Sequence, residues 1–387
     1  MTTASVAVIG GGVVGASVAC HLAARGWRDV LILDRGAGPG EGSTGRATGG
    51  FRAQYATAIN VRLSLLAREK LCRFAADTGV DPGYVQAGYL WLGADEQELA
   101  ELRAAQRIQH AAGLREAVEL GPDDVRGLNP ALAPEGIAGG VFCPTDGFIR
   151  PLRVLEGYLA AAARLGVRVE WGTQATGFDR RADGTISAVL TSRGPIGVAA
   201  AVNAAGPWAA AVAGWAGVDL PVAPLRRQAA ATAPCDLLPE SMPMTIFAGD
   251  GFHLRVRDGR VLLLRPTPGV PGRPLDDSVD SAWVREVTAT AHRRVPALRR
   301  VAIDPAACWA GLYEMSPDKH AILGVAPGCA NLFLVNGSSG HGVMHAPALG
   351  QLLAEIVSDG RATSLDVTAL RPERFAEGEP NPVSGLL

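Results

Sequence analysis

Gly10, Gly12 and Gly15 stand at the spacing G-x-G-x-x-G within "VAVIGGGVVGASV", and Asp34 follows 24 positions after Gly10. The chemistry of that spacing is phosphate binding. The first glycine makes a tight turn, the second lets the backbone approach a pyrophosphate, and the third lets a helix pack on its strand. Val13 and Val14 open the helix, whose first amides and dipole favour negative charge, while Asp34 can accept hydrogen bonds from a ribose hydroxyl pair. The motif predicts a bound dinucleotide and leaves NAD and FAD open. A second constellation, "GSSGHGVMHAP", sets His341 and His345 four residues apart, the spacing of a metal pair if both share one helix face. Pro347 suits the first turn of a helix, where its missing N–H costs nothing. That reading starts the helix around Val343 to His345, leaves His341 in the glycine turn before it, separates the two rings and predicts no metal. His345 is then expected to be packed or solvent-facing.

The elements that must position these residues are legible in outline. "VAVI" and "VLILD" read as two buried parallel strands around a helix that Gly26 caps. "LRVLEGYLAAAARLG" and "VRVEWGT" add a helix and a strand to the same unit. "VQAGYLWLGADEQELAELRAAQRIQHAAG" reads as a strand and then a helix opened by Asp95, with Glu96 and Glu98 in its first turn. Asp-Gly pairs at 250–251 and 258–259 sit between strand-like runs, a hairpin signal, and "DSAWVREVTATAHRRVP" is a helix ending before Pro296. The pattern predicts an α/β class, with a Rossmann-type nucleotide-binding domain (1–85, 148–220 and 305–370) and an interleaved, antiparallel-sheet α+β substrate domain (86–147 and 221–304). Residues 371–387 read as a loose tail.

Composition narrows the function. With 387 residues, 48% hydrophobic and 19% charged, the chain suits about two well-buried domains. A formal net charge of −2 gives no electrostatic case for nucleic acid. Lysine occurs only at Lys70 and Lys319, which leaves few candidates for Schiff-base chemistry. The six cysteines form no CxxC pair, no apolar run reaches membrane-spanning length, and the first strand starts almost at once. A cytoplasmic location is the expectation.

The stretch "GPGEGSTGRATGGFRAQY" then separates the two cofactors. It is rich in Gly, Ser, Thr and Arg, a second loop that can offer donors to phosphate and backbone to a flavin ring. It resembles the second flavin loop of the D-amino-acid-oxidase-like FAD oxidoreductases, the superfamily of glycine oxidase, sarcosine oxidase, dimethylglycine dehydrogenase and the β subunit of heteromeric proline dehydrogenases. "AAAVNAAGPWAAAVAGWAG", "WAGLYEMSPDKHAILG" and "NGSSGHGVMHAPALGQLLAEIV" resemble three further segments of that family in the same order. The resemblance implies FAD, with contacts at Asp34, Arg35, Ser43, Thr44, Arg46, Ala47, Thr48, Gly49 and Gly50. It adds Ala175, Ala205, Gly206, Trp208, Gly311, Leu312 and the run Gly340, His341, Gly342, Val343 and Met344, whose backbone would cradle the flavin's pyrimidine edge. Some relatives bond the flavin through a cysteine six residues before the Pro of the Pro-Asp pair. Here that position is Gly311, Cys308 lies three residues too early, and the histidine used near the second loop is absent, so noncovalent FAD is expected.

For substrate, the resemblance puts Arg52 where relatives hold a carboxylate, and a planar guanidinium suits one with two parallel hydrogen bonds; a surface arginine is the alternative. Departures from the family pattern fall at Tyr313, where glycine and D-amino-acid oxidases carry arginine, at Met344, where monomeric sarcosine oxidases carry lysine, and at Ala321, usually proline. They turn the expectation toward the sarcosine and proline dehydrogenase-like branch. His253, Arg255 and Arg257 alternate along one strand face; facing the flavin, His253 and Arg255 would line the pocket, and facing away they would be solvated. Arg265 could reach the site, and His320 reads as exposed. The expected reaction is oxidation of an amino- or imino-acid C–N bond, with hydride passing to flavin N5 to leave an imine and with oxygen or a carrier as the acceptor. Oxidation of a 2-hydroxy acid, and a flavin-bearing subunit acting through protein contacts in a homo- or hetero-oligomer, stay open.

Overall fold

In a computed structural model the chain is described over residues 2–266 and 276–383. The first sheet has eight strands. Thr2–Ile9 lies at its centre, parallel to Val30–Leu33 on one side and Ile196–Asn203 on the other. Arg168–Glu170 extends it beyond Val30–Leu33, and Cys329–Asn336 beyond Ile196–Asn203, both in parallel; Ile322–Ala326 closes that edge antiparallel. Side chains alternate between two cores. Val6 and Val8 pack with the helices Val13–Ala24, Ala58–Thr78, Pro151–Arg164 and Gly342–Asp359, while Ala7 and Ile9 face the short helix Ala209–Gly214. Both faces are covered, which is why these strands read as continuous apolar runs.

The second sheet also has eight strands, in the order Trp309–Met315, Ala223–Ala231, Arg260–Leu264, His253–Arg257, Met244–Phe247, Tyr89–Gly93, Gly139–Cys143 and Val118–Leu120. It is antiparallel except where Met244–Phe247 runs parallel to Tyr89–Gly93. The helix Ser281–Arg294, capped by Asp280 through a bond from the Ala282 amide, buries Trp283 and Val287 against one face. Asp95 caps Glu96–Ala111 by accepting from the Glu98 amide, and Asp258 and Gly259, both at positive φ, turn the hairpin between His253–Arg257 and Arg260–Leu264. Trp309–Met315, which the sequence reading gives to the nucleotide-binding part, hydrogen-bonds into this second sheet.

The C-terminal segment differs from the sequence reading. Arg374 is fully buried and forks onto Asp318, at 2.8 Å from Nε to Oδ2 and 3.0 Å from Nη2 to Oδ1. The Asn381 amide and side chain both donate to the same carboxylate at 3.0 Å. Residues 371–381 are a clasp, and only a contact 56 positions apart reveals it. Among the described residues all six cysteines are unpaired, no helix is long and apolar enough to cross a membrane, and no group of three or more His, Cys, Asp or Glu could hold a metal.

Candidate active site

A cavity of about 1080 Å³ opens between the two sheets, at the top of the range for small-molecule sites (~300–1,000 Å³). One end is the turn after the first strand. Gly10 has φ +112, and a Cβ there would meet the Ala204 carbonyl at 2.3 Å; a Cβ on Gly15 would fall 1.9 Å from the Gly10 oxygen. Gly15 therefore sits beneath the cavity and makes the helix–strand contact, whereas Gly10, Gly12, Val13 and Val14 line the wall. Asp34 stands just past the second strand, its Oδ2 accepting from the Gly11 amide at 2.6 Å and its Oδ1 from Gly36 at 2.7 Å. Beyond it, Arg35 stacks on the Trp208 indole at 3.7 Å. Ala175, Ala205 and Gly206 complete this end.

The loop of residues 43–50 crosses the middle. Thr44 Oγ1 accepts from the Val13 amide at 3.1 Å, Ser43 Oγ donates to the Leu312 carbonyl at 2.7 Å, and Arg46 Nη1 donates to the Ala310 carbonyl at 2.8 Å. Arg46 also pairs with Asp277. The expected pocket role of Arg255 is corrected here: it is buried behind the loop, off the cavity wall. Its Nη1 donates to the carbonyls of Thr48 (2.9 Å) and Gly49 (3.2 Å), and its Cζ lies 3.6 Å from the Phe148 ring centre. Burial pulls its pKa down to about 10. Arg257 reaches the carbonyls of Ala47 and Thr48. The polar face of that strand thus props the loop, and His253 alone of the three reaches the cavity.

The opposite wall is the start of Gly342–Asp359. Gly337, Ser339 and Gly340 all have positive φ, so the chain turns sharply and His341 becomes the N-cap. The helix starts a residue earlier than the sequence suggests, and Pro347 lies inside it, past the first turn. The first amides of a helix have no partner within it, and here they lie at the cavity wall through Gly342, Val343 and Met344. The histidine rings do meet, with centres 5.7 Å apart, contrary to the expected separation. Their ring nitrogens are engaged elsewhere: His341 Nε2 with Arg52 Nη2 at 3.2 Å and His345 Nε2 with Ser64 Oγ at 2.8 Å. His345 is buried, and burial followed by the Arg52 charge draws its pKa to about 3 and that of His341 well below normal. His320, expected exposed, is buried between the Asp318 carbonyl and Thr57 Oγ1.

Arg52 is 4% exposed. Its Cζ stands 4.5 Å from the Tyr55 ring centre and 5.1 Å from that of Trp91, so the guanidinium is held in one orientation at the cavity wall. Met344 Sδ accepts from Tyr55 at 3.1 Å, and the Tyr313 ring covers Gly340, where a Cβ would clash at 2.2 Å. His253 Nδ1 donates to the Gly251 carbonyl at 2.8 Å; burial, with Arg52 and Arg227 adding to it, lowers its pKa to about 4. Arg265 lines the cavity and lies 3.8 Å from Asp250.

This arrangement of two glycine cradles around one cleft coincides with a family match. The model of the DAO family, FAD dependent oxidoreductases, matches residues 5–356. The chain belongs to that family. It is 29% identical to the glycine oxidase of Geobacillus kaustophilus (strain HTA426), over 94% of each chain. It is also 29% identical to the mitochondrial dimethylglycine dehydrogenase of Rattus norvegicus, with 97% of this chain covered but only 45% of the rat protein. The crystal structure of L-proline dehydrogenase from P. horikoshii superposes with a TM-score of 0.89 at 28% identity, covering 98% of this chain and 100% of that one.

The cofactor of this oxidoreductase is FAD, and the site fits it. The positions at Gly10 and Gly15 tolerate no side chain, Trp208 Nε1 has no hydrogen-bond partner among the described residues, and Asp34 lines the cavity at the end of the second strand. Gly311 abuts the Arg46 side chain, which would stand 3.0 Å from a Cβ at that position. Cys308 is turned away, its thiol donating to the Asp304 carbonyl at 3.3 Å. Several lining residues escape sequence reading: Trp171, whose ring lies 2.7 Å from a Cβ placed on Gly11, and Arg227, Glu314 and Lys319. Glu314 accepts from the Ser338 amide at 3.2 Å, and burial raises its pKa to about 7. No local motif marks Trp171 or Arg227; the turn after Arg168–Glu170 brings the first to the site and sheet register the second.

Proposed function

We propose that this FAD-dependent oxidoreductase oxidises the C–N bond of an amino or imino acid, a secondary amine such as an N-methyl or proline-like amino acid, to the imine. The observation that carries the reading is Arg52, a buried guanidinium fixed between Tyr55, Trp91 and His341 at the cavity wall. Its fork binds a carboxylate and so fixes the adjacent α-carbon. FAD held in this cleft would supply a two-electron acceptor for the α-hydrogen, and Arg52 would hold the α-carbon in place as the neutral amine releases its proton to leave the imine. The helix start at Gly342 directs amides and a positive dipole end toward charge developing at the cofactor's edge. The cationic groups lining the cavity favour a neutral amine over an ammonium, the form that can release its electron pair. Oxidation of a 2-hydroxy acid would want a base, and His253, with its pKa near 4, accepts an alcohol proton poorly. Gly311 and the orientation of Cys308 support noncovalent FAD.

Arg52→Ala tests the reading. Losing a charge-assisted bidentate contact worth ~1.5–3 kcal/mol should raise the apparent substrate constant about 10- to 150-fold, with FAD content unchanged. An unchanged constant removes Arg52 from the carboxylate role.

A further inference from the structure

Arg52 follows Gly50–Phe51, a strand of two residues paired antiparallel with Gly147–Phe148, and no regular element resumes until the helix Ala58–Thr78. So short a ladder is marginal by itself, and the buried amides beyond it need acceptors that no neighbouring strand provides. Asp146, the residue before Gly147, provides them. Its Oδ1 accepts from the Ala53 amide at 2.7 Å, and the Gln54 amide bonds the same carboxyl. The Gln54 side chain adds a third donor, its amide turned so that Nε2 donates to Asp146 Oδ2 at 3.3 Å and to the Tyr89 carbonyl at 3.1 Å. Three donors from the two residues after Arg52 thus converge on one side chain, with Asp146 0% and Gln54 3% exposed.

Asp146 is itself held. Its carbonyl accepts from the Gly88 amide at 2.8 Å, and a Cβ on Gly147 would meet the Val85 carbonyl at 2.0 Å, so the turn has no room to shift toward residues 85–88. Just before it, Thr145 Oγ1 accepts from Arg68 and the Thr145 carbonyl from the Tyr84 hydroxyl, both at 2.5 Å. The turn leaves Gly139–Cys143, a strand of the second sheet, so Asp146 ties the Arg52 segment to that sheet. Tyr55, Trp91 and His341 meet the guanidinium at the other end of the same side chain. A two-bond fork onto a carboxylate needs both N–H directions right at once, and a small misplacement is costly in a reacting site. Asp146 stands behind the cavity wall and not on it. We propose that Asp146 is a positioning residue for the substrate carboxylate: it fixes the backbone beside Arg52 and thereby aims the guanidinium into the cavity. The proposal rests on the carboxylate role of Arg52 argued above.

Cyclopentanecarboxylate, a proline-shaped acid without an oxidisable amine, and its neutral carboxamide serve as probes. Each is titrated into the FAD-loaded enzyme while the visible flavin band is followed, and the ratio of their affinities reads the Arg52 fork. Wild type should prefer the carboxylate at least tenfold. Asp146→Ala should lower that ratio at least fivefold, with carboxamide affinity changed less than twofold and FAD retained. General loosening of the site would weaken both probes alike; that result, or an unchanged ratio, overturns the proposal and leaves the Arg52 reading standing. Should Asp146→Ala not fold, Asp146→Asn decides, since it keeps an oxygen for the Ala53 amide but turns a donor toward Gln54. A fall of at least twofold in its ratio supports the clamp, and an unchanged ratio overturns it. Absence of any carboxylate preference in wild type overturns the Arg52 reading and this proposal with it.

Discussion

At Arg52, Asp146 and Gly311, single side chains carry separable consequences. Asp146 is buried beneath the loop bearing Arg52, its Oδ1 accepting from the Ala53 amide at 2.7 Å. Burial outweighs that bond and raises its pKa from 3.8 to about 7. A carboxyl that holds its proton in the folded state contributes stability that is whole below the unfolded value and is lost as pH rises through about 7. Asp146→Asn never ionises, so its melting temperature relative to wild type should become more favourable between about pH 5 and pH 8.5. A difference independent of pH contradicts the assignment. Gly311 offers no thiol to the cofactor, so acid precipitation should leave a colourless pellet and a yellow supernatant; a yellow pellet would mean covalent FAD. Arg52 and Asp34 are legible because a local motif surrounds each. Arg227 and Lys319 are not: strand pairing with Trp309–Met315 sets the first, and a turn held by the distant Arg374 and Asn381 contacts to Asp318 sets the second. Arg255 is misplaced by sequence reading because alternation gives a shared face without saying what that face meets.

The elements repeat the lesson at longer range. The Asp95 cap and the Asp258–Gly259 turn, with their local chemistry, read correctly from sequence, since the side chain and the backbone group it satisfies lie within a few residues. The start of Gly342–Asp359 reads a residue late because Pro347 suggests a first turn, whereas the positive-φ residues Gly337, Ser339 and Gly340 set the boundary. The C-terminal clasp has no local signature at all. Burial alone would raise the Asp318 pKa, yet the Arg374 fork and Asn381 hold its carboxyl well below the usual range. Removing one partner leaves a buried charge uncompensated, which costs about 3–5 kcal/mol. Arg374→Ala should therefore lose stability on that scale in denaturant unfolding, toward the lower end because Ser316 and the His320 amide also donate to Asp318. A loss below about 1 kcal/mol would show the clasp to be ornamental.

Across the whole molecule, one sheet supplies the cofactor cradles and the other the far wall, and the chain passes between them repeatedly. The doubly covered parallel sheet is legible from its apolar strands and glycine turn; the second sheet's parallel pairing and its capture of Trp309–Met315 are not, since register between distant strands leaves no trace in local pattern. The cavity is lined by residues of both sheets, so FAD bound in it should stabilise them together, by about 2.7 kcal/mol at a concentration one hundred times the dissociation constant. A single cooperative melt that moves upward with added FAD is the expected result; a melt indifferent to FAD would deny the bridge. The most direct test of the account is anaerobic titration of the FAD-loaded enzyme with sarcosine, L-proline, glycine, aspartate, iminodiacetate and the corresponding 2-hydroxy acids, reading loss of the visible flavin band. The account predicts that at least one amino or imino acid bleaches the flavin and that no hydroxy acid does. Bleaching by a hydroxy acid with every amine inert would contradict it.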